Sequence, residues 1–299
     1  MDKAFWQAIL DADGAVPEGY AVAELTPELL ALLGSTDPFL RDEVAMEVLA
    51  AWIVRDNLYT PDELRSIGDT LAHNLTVGLG EQGSDSVFLR AFSALVLDKV
   101  IEADNWWTLL SPEDIRRWME QALAYVAVER DLRGYVPGKG WAHALAHTAD
   151  VLWVLAQSRH MGAADLERIL VAIADKVNAP TEYPYLAMED ERLANAVWAG
   201  LRRDLLGLPF LSTWLSRLAR PFQETPRSEV VIDAHKTNAF HNTRLLLHSL
   251  YFQLVLGVRP PPWYTDMSFF MGAPALRDDL LPLVVGTLRA IDPGFYAKG

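Results

Sequence analysis

The sequence predicts an all-α protein built from stacked pairs of helices. Apolar residues recur in seven long segments with a period of about 3.6, the pattern of amphipathic helices. Several of these segments begin with residues that cap helices, and glycines follow others. No segment shows the sustained alternation of apolar and polar residues that indicates a half-buried strand.

The segment 37–56 shows the helical pattern most clearly, with Leu40, Val44, Val48 and Trp52 on one face. Each of the other segments is too long for a buried strand and long enough for a helix. They are 86–100, 112–128, 141–155, 164–177, 190–206 and 238–256.

Helix starts are predicted where a hydroxyl residue precedes proline and acids. Thr60 and Ser111 have this arrangement, in which the hydroxyl accepts a first-turn N–H and proline occupies a position that needs no donor. Thr26 predicts the start of a shorter helix in the same way. Glycines that can adopt a left-handed conformation are predicted to end helices; these are Gly34, Gly80 and Gly207.

Five breaks separate the predicted helices, and none has the composition of a flexible interdomain linker. We therefore predict a single domain over residues 1–299. The run RPPPW at 259–263 is predicted to be a stiff, packed connector of polyproline type. The breaks are 11–19, 130–140, 178–184, 221–229 and 259–266.

A weak internal repeat refines the predicted fold. The sequence DPFLR at 37–41 resembles the start of a HEAT-type helix, and SVFLR at 86–90 brings a second arginine 49 residues later. HEAT and armadillo units are about 40–47 residues long. The expected architecture is therefore an α-α superhelix, a solenoid of stacked helix pairs similar to HEAT and armadillo proteins.

Composition excludes several classes of function. Half of the residues are hydrophobic, 51%, and 22% are charged, as in folded globular proteins. The chain has no cysteine, which excludes disulfides, thiolate nucleophiles and cysteine metal sites. The formal net charge of −14 argues against nucleic-acid binding.

The predicted location is the cytoplasm, without membrane contact. No apolar window approaches the length of a membrane helix, and the first residues carry acids where a secretory signal carries bases. The charge is uneven, with a net −8 over residues 1–60 and a net +3 over residues 200–299. This gradient is typical of a solvated surface, and alternatively of a polarised binding surface.

The most unusual segment is RGYVPGKG at 133–140, followed by WAHALAHTAD at 141–150. A glycine-rich turn is predicted to lead directly into a helix that begins between Gly138 and Trp141. His143, His147 and Asp150 are then spaced i, i+4 and i+7, which places them on one stripe of that helix.

This segment resembles that of an uncharacterised bacterial family of unknown function, whose members carry a similar GKGWAHAxAHTAD sequence. The resemblance extends to DPFLRDE at 37–43, FLRAFSAL at 88–95 and EDERLA at 189–194. It implies a helical-repeat fold and brings no established activity.

Three interpretations of the stripe are open. A metal site could use the two imidazoles and Asp150, although Ala144 stands where a zinc protease has its glutamate. An anion or catalytic site could combine the N–H groups of residues 138–141 and Lys139 with a histidine as acid or base. In the structural interpretation, the polar groups hydrogen-bond neighbouring helices and Trp141 packs in the core.

A second stripe contains His241, Arg244 and His248, spaced i, i+3 and i+7. If the two stripes face each other across a concave surface, they form one site. Glu191 and Arg192 are also candidates, although acids that open a helix are typical of a first turn. The predicted ligand-binding groove contains Lys139, Trp141, His143, His147, Asp150, Glu191, Arg192, His241 and Arg244.

Other polar and aromatic residues are assigned structural roles. Arg41 and Arg90 are expected to tie adjacent repeats together through carboxylates. Trp52, Trp106 and Trp107 are predicted to be core residues. His73 and His160 are predicted to lie on the surface.

The sequence thus predicts a scaffold or ligand-binding protein that uses its concave face for a protein or small-molecule ligand, without a cofactor. The alternative is a hydrolase-like or transferase-like enzyme, with His143 or His147 as acid or base and Asp150 or Glu191 as orienting acid. A role in DNA repair is a third possibility, which the acidic charge disfavours.

Overall fold

The computed structural model describes residues 1–259 and 268–296. They fall into two compact units, Met1–His160 and Met161–Gly299. The predicted all-α class is confirmed, since the described residues form thirteen α-helices and one very short β-hairpin. Residues 260–263 of the predicted polyproline connector lie outside the described residues. Within the described ranges, no helix combines the length and apolar character needed to cross a bilayer.

Unit 1 contains seven α-helices and the hairpin. A continuous helical segment, 39–55, consists of α3 and a π-helical stretch on each side of it, Phe39–Met46 and Ala51–Arg55. The elements are α1 (Lys3–Asp11), α2 (Val22–Leu32), α3 (Glu47–Ala50), α4 (Pro61–Asn74), α5 (Ser86–Trp107), α6 (Pro112–Val128), β1 (Tyr135–Val136), β2 (Gly140–Trp141) and α7 (Ala144–Gln157).

Unit 2 contains the other six described α-helices and a short 3-10 turn at Ser268–Phe270. In this unit α9 packs on α12, α10 packs on α13, and α8 contacts both α10 and α12. The helices are α8 (Ala163–Asn178), α9 (Glu189–Arg202), α10 (Leu208–Glu224), α11 (Arg227–Ile232), α12 (Ala234–Leu256) and α13 (Arg277–Ile291).

Local capping explains where α4 and α6 begin. Thr60 Oγ1 accepts the backbone N–H of Glu63 at 3.3 Å, and Ser111 Oγ accepts that of Asp114 at 3.2 Å. Each acid in return accepts the backbone N–H of its capping residue, so both starts are capping boxes. The predicted helix starts at these two positions are confirmed.

Several local predictions are wrong. Gly34 and Gly207 do not adopt the predicted left-handed conformation, and Gly207 is the N-cap of α10. The helix predicted to start at Thr26 begins at Val22, and the Thr26 hydroxyl bonds back to the Val22 carbonyl within α2.

The break predicted over 221–229 is also mostly helical, because α10 continues through Pro221 to Glu224 and α11 follows. Pro221 cannot donate to the carbonyl of Arg217, and the side-chain amide of Asn178 donates to that carbonyl at 3.0 Å instead, so tertiary contacts compensate for the missing helical bond.

The core of unit 1 is built around α5, which packs against α7 and α4, while α6 contacts α4 and α7. Trp52 is fully buried, as predicted. Trp107 is 49% exposed, so its predicted core position is wrong. It ends α5, where the left-handed Thr108 turns the chain away.

The two helices α4 and α6 approach closely at Gly68. A Cβ atom on Gly68 would lie 2.2 Å from Cζ2 of Trp118, which is fully buried. The indole fills the space that any side chain at position 68 would need. This contact fixes the separation of the two helices.

The glycine-rich segment does not begin a helix, which corrects the prediction made from the sequence. Residue Tyr135 pairs with Trp141 and Val136 pairs with Gly140 in an antiparallel hairpin. Gly138 and Gly140 have φ angles of +77° and +80°, which suit a tight turn and cannot continue a right-handed helix. Helix α7 therefore begins only at Ala144.

Candidate functional site

Arg41 attaches the hairpin to segment 39–55. It lies in segment 39–55, and its side chain is fully buried. Its guanidinium donates to the carbonyls of Ser35 and Lys139, both at 2.8 Å, and pairs with Asp42 at 2.7 Å. The same guanidinium lies over the ring of Phe88, 4.2 Å from its centroid. Arg41 thus has a structural role, but it joins remote elements through backbone carbonyls and not through carboxylates as predicted, since its carboxylate partner is the adjacent Asp42.

Gly140 allows this close approach. A Cβ atom at position 140 would lie 3.0 Å from both Nη2 of Arg41 and Cβ of Pro38, and its positive φ already disfavours other residues. The hairpin therefore requires glycine at this position.

The anion site predicted from the turn and Lys139 is not formed as expected. The Lys139 ammonium is paired with Asp85, with Nζ at 2.6 and 2.7 Å from the two carboxylate oxygens. The backbone N–H of Lys139 donates to Val136, and that of His143 donates to Arg133. These groups serve the hairpin because the helix N-terminus lies further along the chain.

A row of rings leads from the hairpin into the core. Trp141 meets Tyr135 edge-on at 5.4 Å and stacks on His143, with centroids 4.2 Å apart and planes 28° apart. His143 meets His147 at 5.6 Å, and His147 meets Phe92 at 5.0 Å. Tyr135 is 60% exposed and His147 is 5% exposed, so the row connects solvent with the interior.

His143 has an unusual backbone. It is the N-cap of α7 with φ +53° and ψ +29°, the left-handed region, which a residue other than glycine seldom adopts outside special sites. His147 and Asp150 lie on α7, whereas His143 precedes it. Nδ1 of His147 lies 3.1 Å from the carbonyl oxygen of Ala91, a hydrogen bond into the neighbouring helix α5. This bond has the form that the structural interpretation expects, but Trp141, which that interpretation places in the core, is 42% exposed.

Asp150 lies beside a buried charge cluster on α5. Lys99 is within 3.1 Å of Asp98 and 3.0 Å of Glu102, and Asp150 adds a further negative charge. Burial alone would lower the pKa of Lys99, but these carboxylates raise it above its usual value. Lys99 is therefore a charged ammonium and not a nucleophilic amine. Among the described residues, no group of three or more histidine, aspartate or glutamate side chains has the arrangement of a metal site.

The acidic residues in the first turn of α9 differ in their burial and in their hydrogen-bond partners. Glu189 is buried, accepts the backbone N–H of Ala187 at 2.8 Å, and has a pKa raised by burial. Asp190 accepts the Ser249 hydroxyl, and Glu191 is exposed. The backbone N–H of Arg192 donates to the carbonyl of Met188, which is the first hydrogen bond of the helix. The predicted first turn of a helix is confirmed.

The second histidine stripe faces the last described residues of unit 2. Arg244 pairs with Asp292 at 3.3 Å, and Nε2 of His248 lies 2.7 Å from the hydroxyl of Tyr296. Burial and the charge of Arg244 lower the pKa of both His241 and His248. The stripe belongs to unit 2 and the His143 row to unit 1, and their convergence stays a prediction.

A groove that the sequence did not predict runs between α2 and α4 and ends at the first turn of α5. We call it the α2–α4 groove. Its volume is about 920 Å³, and its exposed walls are mostly apolar. Its lining residues are Ala23, Thr26, Pro27, Leu30, Ala31, Gly34, Ser35, Tyr59, Glu63, Ser66, Ile67, Thr70, Asn74, Asp85, Ser86 and Leu89.

Polar groups mark the ends of the groove. At one end the hydroxyls of Thr26 and Tyr59 are hydrogen-bonded at 2.7 Å, near Glu63. At the other end Asp85 holds Lys139 of the hairpin. One sequence feature could have indicated the groove, namely the recurrence of Ser66, Thr70 and Asn74 every four residues on α4. The position of α4 beside α2, however, depends on the tertiary fold.

In a comparison with known protein families, the family described as "Protein of unknown function (DUF2785)" matches residues 75–252, which is more than half of the chain. The expected membership of a family of unknown function is thereby confirmed. No curated protein and no solved structure shows significant similarity to the chain.

Proposed function

Because the chain belongs to the DUF2785 family, whose function is unknown, we propose its function from its own residues: it is a binding module that holds an apolar ligand or protein segment in the α2–α4 groove. The observation that carries this proposal is the groove itself, with a volume of about 920 Å³ and mostly apolar walls. Ligand sites in proteins commonly measure about 300–1,000 Å³ and are largely apolar.

The lining chemistry favours binding over catalysis. Hydroxyls, one amide and two carboxylates line the groove, and no histidine or lysine is among its lining residues. A nucleophile needs a base within hydrogen-bond reach, and the paired hydroxyls of Thr26 and Tyr59 have no such partner among them. Burial raises the pKa of Tyr59, which keeps its hydroxyl protonated.

The neutral apolar dye Nile red provides a direct test. Ala31 is exposed on α2 and lines the groove, so Ala31→Phe fills the site. We expect one saturable site in the wild type and an affinity about tenfold lower in Ala31→Phe. Ala8→Phe is the matched control, since Ala8 is exposed on α1 outside the groove. Equal affinities for the wild type and Ala31→Phe would refute the proposal.

We further propose that the helices of unit 1 are stacked as repeated pairs, α4 with α5 and α6 with α7, as in HEAT-like solenoids. The packing of α5 on α7 and of α4 on α6 supports this pairing. Repeat proteins unfold in neighbouring units. Native-state hydrogen exchange is therefore expected to protect each pair as a separate cooperative unit, and uniform protection across all four helices would count against it.

We propose a cytoplasmic location and partners other than nucleic acid. The net charge of −14 supports the second statement. Cell fractionation tests the location. An electrophoretic shift of a DNA duplex at low salt would contradict the second statement.

The second candidate function is the hydrolase-like or transferase-like enzyme. The left-handed backbone of His143, stacked on Trp141, favours it, since such strain concentrates at functional sites. Asparagine tolerates this backbone, so His143→Asn removes the imidazole with little effect on the fold. Turnover of p-nitrophenyl acetate or p-nitrophenyl phosphate that His143→Asn abolishes supports an enzyme. Equal rates in the two proteins exclude His143 as its acid or base.

A further inference from the structure

We propose that the α2–α4 groove receives a basic amphipathic helix of a protein partner, about three turns long. This inference rests on the proposed binding function of the groove and specifies its occupant.

The shape of the groove fits a helix. Its lining residues on α4 lie at positions 63, 66, 67, 70 and 74, and those on α2 lie at positions 23, 26, 27, 30 and 31. These spacings form one continuous face on each helix, so the groove runs along both of them. The eleven steps along α4 from position 63 to position 74 correspond to about 16 Å, which is three helical turns.

The floor of the groove provides the apolar contact surface. Ile67 lies at its base and is 5% exposed, Leu30 and Leu89 are half-buried, and Pro27 and Ala31 are exposed. A guest helix with apolar residues at i, i+3, i+4 and i+7 can cover this surface with one face. Its other face then lies beside the rims of the groove.

The segments that form the groove are rich in acids, although four of these acids are already paired with cations: Glu28 with the Met1 amine, Asp62 with Arg65, Asp69 with Arg117 and Asp85 with Lys139. Helices α2 and α4 and the connection 75–86 contain one guanidinium, that of Arg65, and seven carboxylates: Glu24, Glu28, Asp62, Glu63, Asp69, Glu81 and Asp85. The two carboxylates that line the groove itself, Glu63 and Asp85, lie at its opposite ends.

Two of these acids, Glu24 and Glu63, lie at the same end of the groove. Glu24 and Glu63 accept backbone N–H groups at the starts of α2 and α4. The hydrogen bonds from Thr60 lower the pKa of Glu63. In the part of the chain that the structure describes, neither carboxylate forms an ion pair, so both can attract cations on a guest helix.

The charge excludes other occupants of similar shape. A nucleic acid or an anionic membrane surface would be repelled by the carboxylates of Glu24 and Glu63, which form no ion pair among the described residues. A neutral apolar ligand would contact the floor and gain no electrostatic attraction from Glu24 and Glu63. Lysine or arginine residues flanking an apolar stripe complement both features.

The test uses the full chain and two synthetic peptides of about 14 residues. Both have leucine at i, i+3, i+4, i+7 and i+11. One carries lysine at the flanking positions and the other carries glutamate. Fluorescence anisotropy is expected to give an affinity about tenfold higher for the lysine peptide, and a loss of this preference as salt rises from about 50 to about 300 mM.

Variants of the capping acids separate charge from structure. Glutamine can replace glutamate at the third position of a capping box, so Glu63→Gln removes the charge and keeps the cap of α4. We expect the lysine peptide to bind about two- to fivefold more weakly to Glu63→Gln, and about tenfold more weakly to the double variant with Glu24→Gln. Asp62→Asn is the matched control, because Asp62 pairs with Arg65 and does not line the groove.

The outcomes are distinguishable from those for the proposed function. If Ala31→Phe weakens Nile red binding but the two peptides bind equally, the basic-helix inference is overturned and the binding function stands. If the lysine peptide binds Ala31→Phe as tightly as the wild type, it occupies another surface and the inference also fails. If Ala31→Phe converts a dimer into a monomer in sedimentation equilibrium, the occupant is a second copy of this chain, which overturns the inference too.

Discussion

The guanidinium of Arg41 donates to the carbonyl oxygen of Lys139 over 2.8 Å and thereby joins segment 39–55 to the hairpin. The same side chain pairs with Asp42, bonds to Ser35 and stacks on Phe88. Planarity and several fixed donors are needed for all these contacts at once. Lysine has neither property.

We therefore expect Arg41→Lys to lower the free energy of unfolding by about 2–3 kcal/mol, because buried carbonyl groups lose their donors. Urea denaturation measures this change. Arg55→Lys is the control in the same segment, since Arg55 is half-exposed and its ion pairs contribute less than about 1 kcal/mol. Equal losses in the two variants would contradict the role assigned to Arg41.

A second prediction concerns the buried pair of Arg90 and Glu129. Arg90 Nε lies 2.5 Å from Glu129, and both side chains are almost completely buried. Glu129→Gln leaves the guanidinium without its counter-charge, so we expect a loss of about 3–5 kcal/mol in the free energy of unfolding. Thermal and urea unfolding measure it. The exposed Glu113 on α6 is the control, and Glu113→Gln should change stability by less than about 0.5 kcal/mol.

Two glycine substitutions are expected to act in opposite directions. Gly68→Ala places a Cβ atom 2.2 Å from the buried Trp118 ring, and we expect a destabilisation of about 2 kcal/mol or more from overpacking. Gly286 is a helical glycine on α13 with no atom within 4 Å of its added Cβ. Gly286→Ala should stabilise the protein by about 0.5–1 kcal/mol. Two changes of the same sign would show that α4 and α6 are packed differently.

The histidines of unit 2 predict a stability that depends on pH. Burial and Arg244 lower the pKa of His241 and His248 below the ordinary 6.5. As the pH falls, the two histidines therefore take up protons in the unfolded chain before they do so in the folded protein. Their contribution to the free energy of unfolding is fully present above about pH 6.5 and is lost as the pH drops through their pKa values in the folded protein. Urea midpoints of the wild type should decline from pH 7 toward pH 5. The double variant His241→Gln with His248→Gln should decline less, and parallel curves would exclude these groups as the cause.

Sequence reasoning succeeded where structure is determined locally. The starts of α4 and α6 follow from Thr60 and Ser111, because each capping hydroxyl acts on residues within one turn of it. The all-α class follows from periodicity summed over long segments. The prediction that Trp107 lies in the core was wrong, because its position at the end of α5, and not its residue type, determines its exposure.

The candidate sites depended on contacts that no local pattern encodes. Gly138 and Gly140, two residues apart beside Tyr135 and Trp141, could have indicated a hairpin in place of a helix start. The pairing of Lys139 with Asp85 spans 54 residues, and the groove needs α2 and α4 side by side. Such relationships arise only when remote segments pack together.

The attachment of the hairpin also has a consequence for folding kinetics. Its contacts with Arg41 and Asp85 close loops of 98 and 54 residues, and long loops are entropically costly to close early. The hairpin should therefore dock after the transition state has been crossed. Weakening its attachment, for example with Asp85→Asn, is then expected to accelerate unfolding in stopped-flow experiments and to leave the folding rate almost unchanged.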